Sequence, residues 1–177
     1  IWPKDSMTEL TLKQEWAARW KEGQTGFHQA EFNGFLVEHW PRIVSDPTAT
    51  VLVPLCGKSR DMLWLHGRGH SVIGVELVEL ACIAFFEESN LPYSRIESDG
   101  HIRFVGTGPA EGLTIICADL LTLSKAEIGP VDVWYDRAAI VALPPTLRNE
   151  YAAWLKQTLP PQAEGLMMTF DYPQEER

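Results

Sequence analysis

Between Thr50 and Glu76 the chain reads TVLVPLCGKSRDMLWLHGRGHSVIGVE, and this stretch decides the fold class. Thr50–Val53 is a short β-branched run that stops at Pro54, the signature of a first strand. Ser59 is placed to cap a helix over Arg60–His66, which Gly67 and Gly69 close. Ser71–Val75 forms a second strand and delivers Glu76 at its end. A strand, a helix and a strand in this order imply a mostly parallel sheet with helices on both faces.

The pattern extends in both directions. Residues 10–21 carry Leu12, Trp16 and Trp20 at a four-residue spacing, so a helix there places all three on one face. A turn follows at Gly23–Gly26, then a short helix from an Asn33 cap to Trp40, with Pro41 expected at its end. After Glu76, Leu77, Leu80, Ala81, Ala84 and Phe85 keep helical spacing. His101–Val105 and Leu113–Cys117 read as two strands joined by a Gly/Pro-rich turn, and Val131–Tyr135 as another. Pro144 and Pro145 introduce a helix with Leu147, Tyr151, Trp154 and Leu155 on one face; Pro160 ends it and Leu166–Phe170 is the last strand. With 177 residues, one α/β domain is expected. Residues 1–9 are expected to be disordered and are assigned no function.

Composition removes several function classes. No apolar run is long enough to span a bilayer, and no basic region followed by an apolar stretch opens the sequence, so neither a membrane nor a secretory signal is expected. A formal net charge of −9 disfavours nucleic acid and permits a cationic ligand. Cys56, Cys82 and Cys117 are far apart without ligand spacing, so no metal site is expected; so sparse a set suits a reducing, cytoplasmic compartment. Cys82 and Cys117 read as small core residues, and nothing in the sequence demands a second copy, so a monomer is expected.

In open α/β sheets ligands lie beyond the carboxyl ends of the strands. The loop Pro54-Leu55-Cys56-Gly57-Lys58-Ser59 lets backbone approach a ligand at Gly57 ahead of a helix N-terminus. It matches neither G-x-G-x-x-G nor a Walker loop. Glu76 follows nearly twenty residues later, where a carboxylate accepts the hydroxyls of an adenosine ribose; the alternative is a solvated glutamate at a helix start. Asp119 is either an acceptor for an adenine amino group or a turn cap. Asp136 and Arg137 either pair with each other or leave the guanidinium to hold an anion. These residues support an adenosine-containing ligand without choosing the chemistry.

The chemistry comes from a resemblance. Trp16-x-x-x-Trp20 with Gly23-x-x-Gly26-Phe27-His28 resembles the thiopurine S-methyltransferases. So do Val53-Pro54-Leu55-Cys56-Gly57-Lys58, the segment Trp64 to Glu76, and Trp134-Tyr135-Asp136-Arg137 through Leu143. The resemblance runs from about Trp16 to Tyr172. It implies a Rossmann-like class I methyltransferase fold using S-adenosylmethionine and releasing S-adenosylhomocysteine. Trp16, Trp20, Leu55, Glu76, Asp119, Leu120 and Arg137 would line the cofactor site, with Phe27 on the substrate side under a lid formed by the first helix; the neighbouring His28 is placed near the substrate as well. The implied acceptors are thiopurines and other aromatic or heterocyclic thiols; bacterial relatives are linked to selenium and tellurium detoxification. Family members continue past the fifth parallel strand, so the expected sheet lacks the C-terminal closing strands.

Methyl transfer from a sulfonium needs positioning more than acid–base chemistry. Arg137 is therefore the expected catalytic group, stabilising a thiolate; Trp16 and Trp20 either attract the sulfonium through their ring faces or pack as core residues of an amphipathic helix, the latter being expected of at least one of them. His28 reads as a proton acceptor or as a surface histidine, and Cys56 as a small loop residue rather than a nucleophile. Two other readings remain: an NAD-dependent oxidoreductase, which the missing glycine fingerprint disfavours, and a non-catalytic fragment that binds S-adenosylmethionine or S-adenosylhomocysteine.

Overall fold

The central strands of the sheet are continuous apolar runs, as strands covered on both faces must be. In the computed structural model, which describes residues 9–24, 29–98 and 100–170, the chain opens with helices α1 (Glu9–Lys21) and α2 (Gly34–Ile43). Then come β1 (Thr50–Pro54), α3 (Asp61–Gly67), β2 (Ser71–Glu76) and α4 (Glu79–Glu88). An antiparallel hairpin, β3 (Tyr93–Ser98) and β4 (His101–Gly106), precedes β5 (Leu113–Cys117) and the short α5 (Lys125–Ile128). The chain continues through β6 (Val133–Asp136), α6 (Ala139–Ala142), α7 (Pro145–Thr158) and β7 (Gly165–Met167).

The sheet order is β3-β4-β5-β2-β1-β6-β7. The pairs β5·β2, β2·β1, β1·β6 and β6·β7 are parallel, whereas β3·β4 and β4·β5 are antiparallel. The expected mostly parallel α/β sheet is therefore present. Strand alternation divides its side chains between two cores. Val51, Val53, Val133 and Tyr135 join Leu36, Trp40, Met62 and Phe85 on one side. Leu52, Ile116 and the partly buried Trp134 join Tyr151, Trp154 and Leu155 on the other.

Several boundaries moved for identifiable reasons. The first helix begins at Glu9, one residue into the segment expected to be disordered; the expectation for residues 1–8 lies outside the described residues. Asn33 does cap α2, its side chain accepting from the Phe35 and Leu36 N–H groups. Pro41, however, lies inside the helix. The Val44 N–H still reaches the Trp40 carbonyl at 2.9 Å, and burial of Leu36 and Trp40 at about 1.5–3 kcal/mol each outweighs the ladder bond that proline forfeits. α3 begins at Asp61, one residue later than expected, and Arg60 at its boundary makes no side-chain bond; the side-chain cap comes from Ser59, whose Oγ accepts from the Asp61 N–H at 3.3 Å. The last strand is shorter than Leu166–Phe170, ending at Met167.

Strand β3 was not anticipated. It is an edge strand whose residues are almost all exposed, so it carries no period-2 apolar signal. The four-residue α5 was also missed, although Ser124 and Glu127 form a reciprocal capping box that its sequence displays.

A buried polar bridge fixes α2 against the sheet. Trp40 Nε1–H donates to His70 Nε2 at 3.0 Å, and His70 Nδ1 lies 2.9 Å from the Ala49 carbonyl. Indole is only a donor, so Nε2 accepts and Nδ1 carries the proton it gives to Ala49. Trp40→Phe keeps most of the packing but leaves His70 Nε2 buried without a donor. The expected cost is about 1–3 kcal/mol, read as a lower urea midpoint at unchanged slope.

Candidate functional site

The carboxyl ends of β1, β2, β5 and β6 converge on two adjoining cavities. Where β1 stops, the backbone turns through two left-handed residues, Leu55 at φ 46° and Gly57 at φ 54°. For leucine this conformation is strained by about 1–3 kcal/mol, and such strain clusters at ligand clamps. The turn is held from β2: the Cys56 N–H bonds the Val75 carbonyl at 3.0 Å, and the Gly57 N–H bonds Glu76 Oε2 at 2.8 Å. Gly74 makes room beneath it, since a Cβ there would meet Cys56 Sγ at 2.7 Å.

Glu76 does not behave as a solvated helix-start residue. It is 7% exposed, and its other oxygen accepts the Val78 N–H at 3.0 Å. Two backbone donors fix the carboxylate plane, and each oxygen keeps a lone pair for a further donor. Burial pushes its pKa above the ordinary 4.5, against the pull of these backbone bonds.

The inner cavity, about 320 Å³, is lined by Trp16, Trp20, Leu55, Glu76, Asp119 and Leu120, together with Leu77, Glu150 and residues of the β6–α7 region. Six of the seven residues expected to surround the cofactor thus meet in one place. Arg137 is the exception. It lines the outer cavity, about 680 Å³, which shares Trp16, Leu55 and Gly57 with the inner one and also carries Arg19, Lys58 and Arg148. Among the described residues, the charged lining of the inner cavity is wholly acidic and that of the outer cavity wholly basic. Phe27 and His28, expected on the substrate side, lie outside the described residues.

Asp119 caps the 3-10 turn Leu120–Thr122, Oδ1 accepting from the Leu121 N–H at 3.0 Å, and it lines the cavity as well. Asp136 is fully buried; it accepts from the Ala139 N–H at 2.8 Å and from the Tyr151 hydroxyl at 2.5 Å. The guanidinium of Arg137 points the other way, 4.0 Å from Asp61. Asp61 and Tyr135, whose hydroxyl donates to Asp61 at 2.8 Å, were not singled out from sequence; a charged residue one place beyond Ser59-Arg60 in an otherwise apolar helix was the available signal.

Helix α1 lies across the inner cavity. Trp20 is buried and would sit 3.3 Å from a Cβ at Gly57, so it is the core residue of the pair, while Trp16 is only partly buried. Both rings also carry a cation of this chain, Lys58 over Trp20 at 5.9 Å and Arg19 over Trp16 at 5.1 Å. Cys56 is buried and its thiol is pushed well up by desolvation, which agrees with a packing role. Among the described residues there is no group of three or more His, Cys, Asp or Glu placed to hold a metal ion, and no helix long and apolar enough to cross a membrane.

Gly57→Ala tests the junction of the loop with α1. Its Cβ would be strained by the positive φ and would crowd Trp20. We expect a loss of about 1 kcal/mol or more, with a tryptophan emission change that Trp20→Phe removes.

Comparison with known proteins chooses among the chemistries. The family model for thiopurine S-methyltransferase matches residues 11–177. A thiopurine S-methyltransferase of Nitrosospira multiformis is 43% identical over 164 residues, covering 93% of this chain and 73% of the relative. One from Pseudomonas fluorescens is 44% identical over 159 residues, covering 90% and 71%. Among solved structures, the fold matches the Burkholderia thailandensis 1,6-didemethyltoxoflavin-N1-methyltransferase, crystallised with S-adenosylhomocysteine. The TM-score is 0.66 at 16% identity, over 97% of this chain and 69% of that one. Matched by the family model over nearly its whole length, and by relatives well above the identity at which a family is secure, the chain belongs to the thiopurine S-methyltransferase family of S-adenosylmethionine-dependent enzymes.

Proposed function

We propose that this chain transfers the methyl group of S-adenosylmethionine to the sulfur of a thiopurine or another aromatic or heterocyclic thiol. The observation that carries the proposal is the division of charge between the adjoining cavities. A cationic sulfonium suits the acidic inner cavity, and an anionic nucleophile suits the basic outer one. The thiopurine S-methyltransferases of Nitrosospira and Pseudomonas supply the acceptor class.

The residues present fit the donor. Glu76, fixed by two backbone N–H groups, is oriented to accept ribose hydroxyls. Asp119 keeps one oxygen beyond its cap bond for an adenine amino group. Leu55 and Trp16 border both cavities, which puts them at the boundary between donor and acceptor. Bound there, S-adenosylmethionine supplies an electrophilic methyl group and leaves as a neutral thioether. The protein's part is alignment, exclusion of water by α1, and stabilisation of the thiolate by Arg137. No general base is required. Selenium and tellurium compounds are further candidate acceptors, on the bacterial family likeness alone.

Calorimetric titration with S-adenosylhomocysteine, with NAD for comparison, tests the donor half. We expect micromolar binding of the first and none of the second; NAD binding instead would restore the oxidoreductase reading. Glu76→Ala should weaken S-adenosylhomocysteine by about 1.5–3 kcal/mol, and undiminished affinity would remove Glu76 from the site. The sign with pH follows from the raised pKa. Affinity is present above it and is lost as pH falls through a window lying above 4.5; Glu76→Gln should flatten that profile.

Arg137→Ala tests the acceptor half. Its kcat/KM for an aromatic thiol should fall roughly 10-fold to 100-fold, the scale of a charge-assisted contact. Cofactor binding with no turnover of any thiol, selenium or tellurium acceptor would leave only a binding module.

A further inference from the structure

Asp61 is a carboxylate only 2% exposed, outside the cavity linings, and three segments meet on it. Its Oδ1 accepts the backbone N–H of Asn33 at 2.8 Å, immediately before α2. Its Oδ2 accepts the hydroxyl of Tyr135 at 2.8 Å and lies 4.0 Å from Arg137 Nη1. Asp61 is itself the first residue of α3, where the helix N-terminus favours a negative charge. Tyr135 and Arg137 are two residues apart along the same strand direction, so they leave the sheet on the same side, while Asp136 between them turns to Tyr151.

We propose that Asp61, braced by Tyr135, is a positioning residue that aims the Arg137 guanidinium into the acceptor cavity. The inference rests on the reading of Arg137 as the thiolate-stabilising group. An arginine side chain has many rotamers, and directing it at a reacting atom requires restricting them. A largely buried guanidinium also needs a counter-charge. Asp61 meets both needs, and it cannot swing away because Tyr135 and the Asn33 N–H occupy its oxygens. Tyr135 is itself fixed, with its ring edge-on to Trp40 at 6.2 Å. The phenol is pushed further up by burial and by Asp61, so it remains a donor throughout the working pH range.

Positioning and mere charge compensation predict opposite shifts, which makes the proposal testable without turnover. The probe is 4-nitrothiophenol, whose thiolate is coloured, titrated while bound to the protein saturated with S-adenosylhomocysteine. Arg137→Ala should raise the bound thiol's pKa by about one unit. Under the proposal, Asp61→Asn raises it toward the Arg137→Ala value, because the guanidinium is no longer aimed. If Asp61 were only a counter-charge, Asp61→Asn would lower it, since a nearby negative charge is gone; a lowered or unchanged pKa overturns the proposal.

Tyr135→Phe keeps the carboxylate and should give a smaller shift of the same sign, which carries the test if Asp61→Asn does not fold. With S-adenosylmethionine as donor, Asp61→Asn should cost roughly 10-fold in kcat/KM but less than about 2-fold in an Arg137→Ala background. Equal losses in both backgrounds overturn the proposal. Failure of the underlying reading has a different signature and takes the proposal with it: Arg137→Ala itself leaves both the bound thiol's pKa and kcat/KM unchanged.

Discussion

The bonds from Glu76 to the backbone of Gly57 and Val78 are the constraint on which the rest of the site depends. One buried side chain at the end of β2 holds the turn after β1 and the entry to α4. The turn so held contains Leu55 in a left-handed conformation that an isolated peptide would not keep. Because Leu55 borders both cavities, its strained backbone also marks the boundary between them. Burial also makes the same carboxylate a fixed hydrogen-bond acceptor rather than a hydrated charge.

A second constraint sits at the end of β6, where two aspartates act on opposite faces of one strand. Asp136, raised in pKa by burial, caps the turn into α6 and takes the Tyr151 hydroxyl. That fastens α7, and with it the wall of the inner cavity. Asp61 takes the Tyr135 hydroxyl from the other layer. Strand alternation alone assigns these roles, and a slip of one residue would exchange them. Arg137 emerges from the strand on the side of the outer, basic cavity.

In helix α1, two residues with one spacing acquire different roles. Trp16 and Trp20 share a helix face, as their spacing requires, yet they differ in role. Trp20 packs on Gly57 beneath Lys58 and anchors α1, whereas Trp16 spans both cavities. The aromatic faces offered to a sulfonium in the sequence reading are partly taken by Arg19 and Lys58. The negative character of the inner cavity comes from Glu76, Asp119 and Glu150.

The sequence by itself determined the alternation of strands and helices, the parallel centre of the sheet, and the placing of Glu76 and Asp119 at one ligand edge; Trp16, Trp20, Leu55 and Leu120 joined them through the family resemblance, and all six line one cavity. These are local signals: apolar period, capping chemistry, and the rule that ligands gather where strands end. Pro41 within α2 and the exposed edge strand Tyr93–Ser98 escaped it, because packing overrode one local preference and the other leaves no apolar pattern. Only the tertiary structure decided that Arg137 faces a separate basic cavity, that Asp136 belongs to Tyr151, and that Asp61 belongs to Tyr135 and Arg137. Those pairings join residues up to 76 positions apart, Asp61 with Arg137. No local propensity encodes them; they follow from burial, which forces each charged or hydroxyl group to find its partner across the layers of the fold.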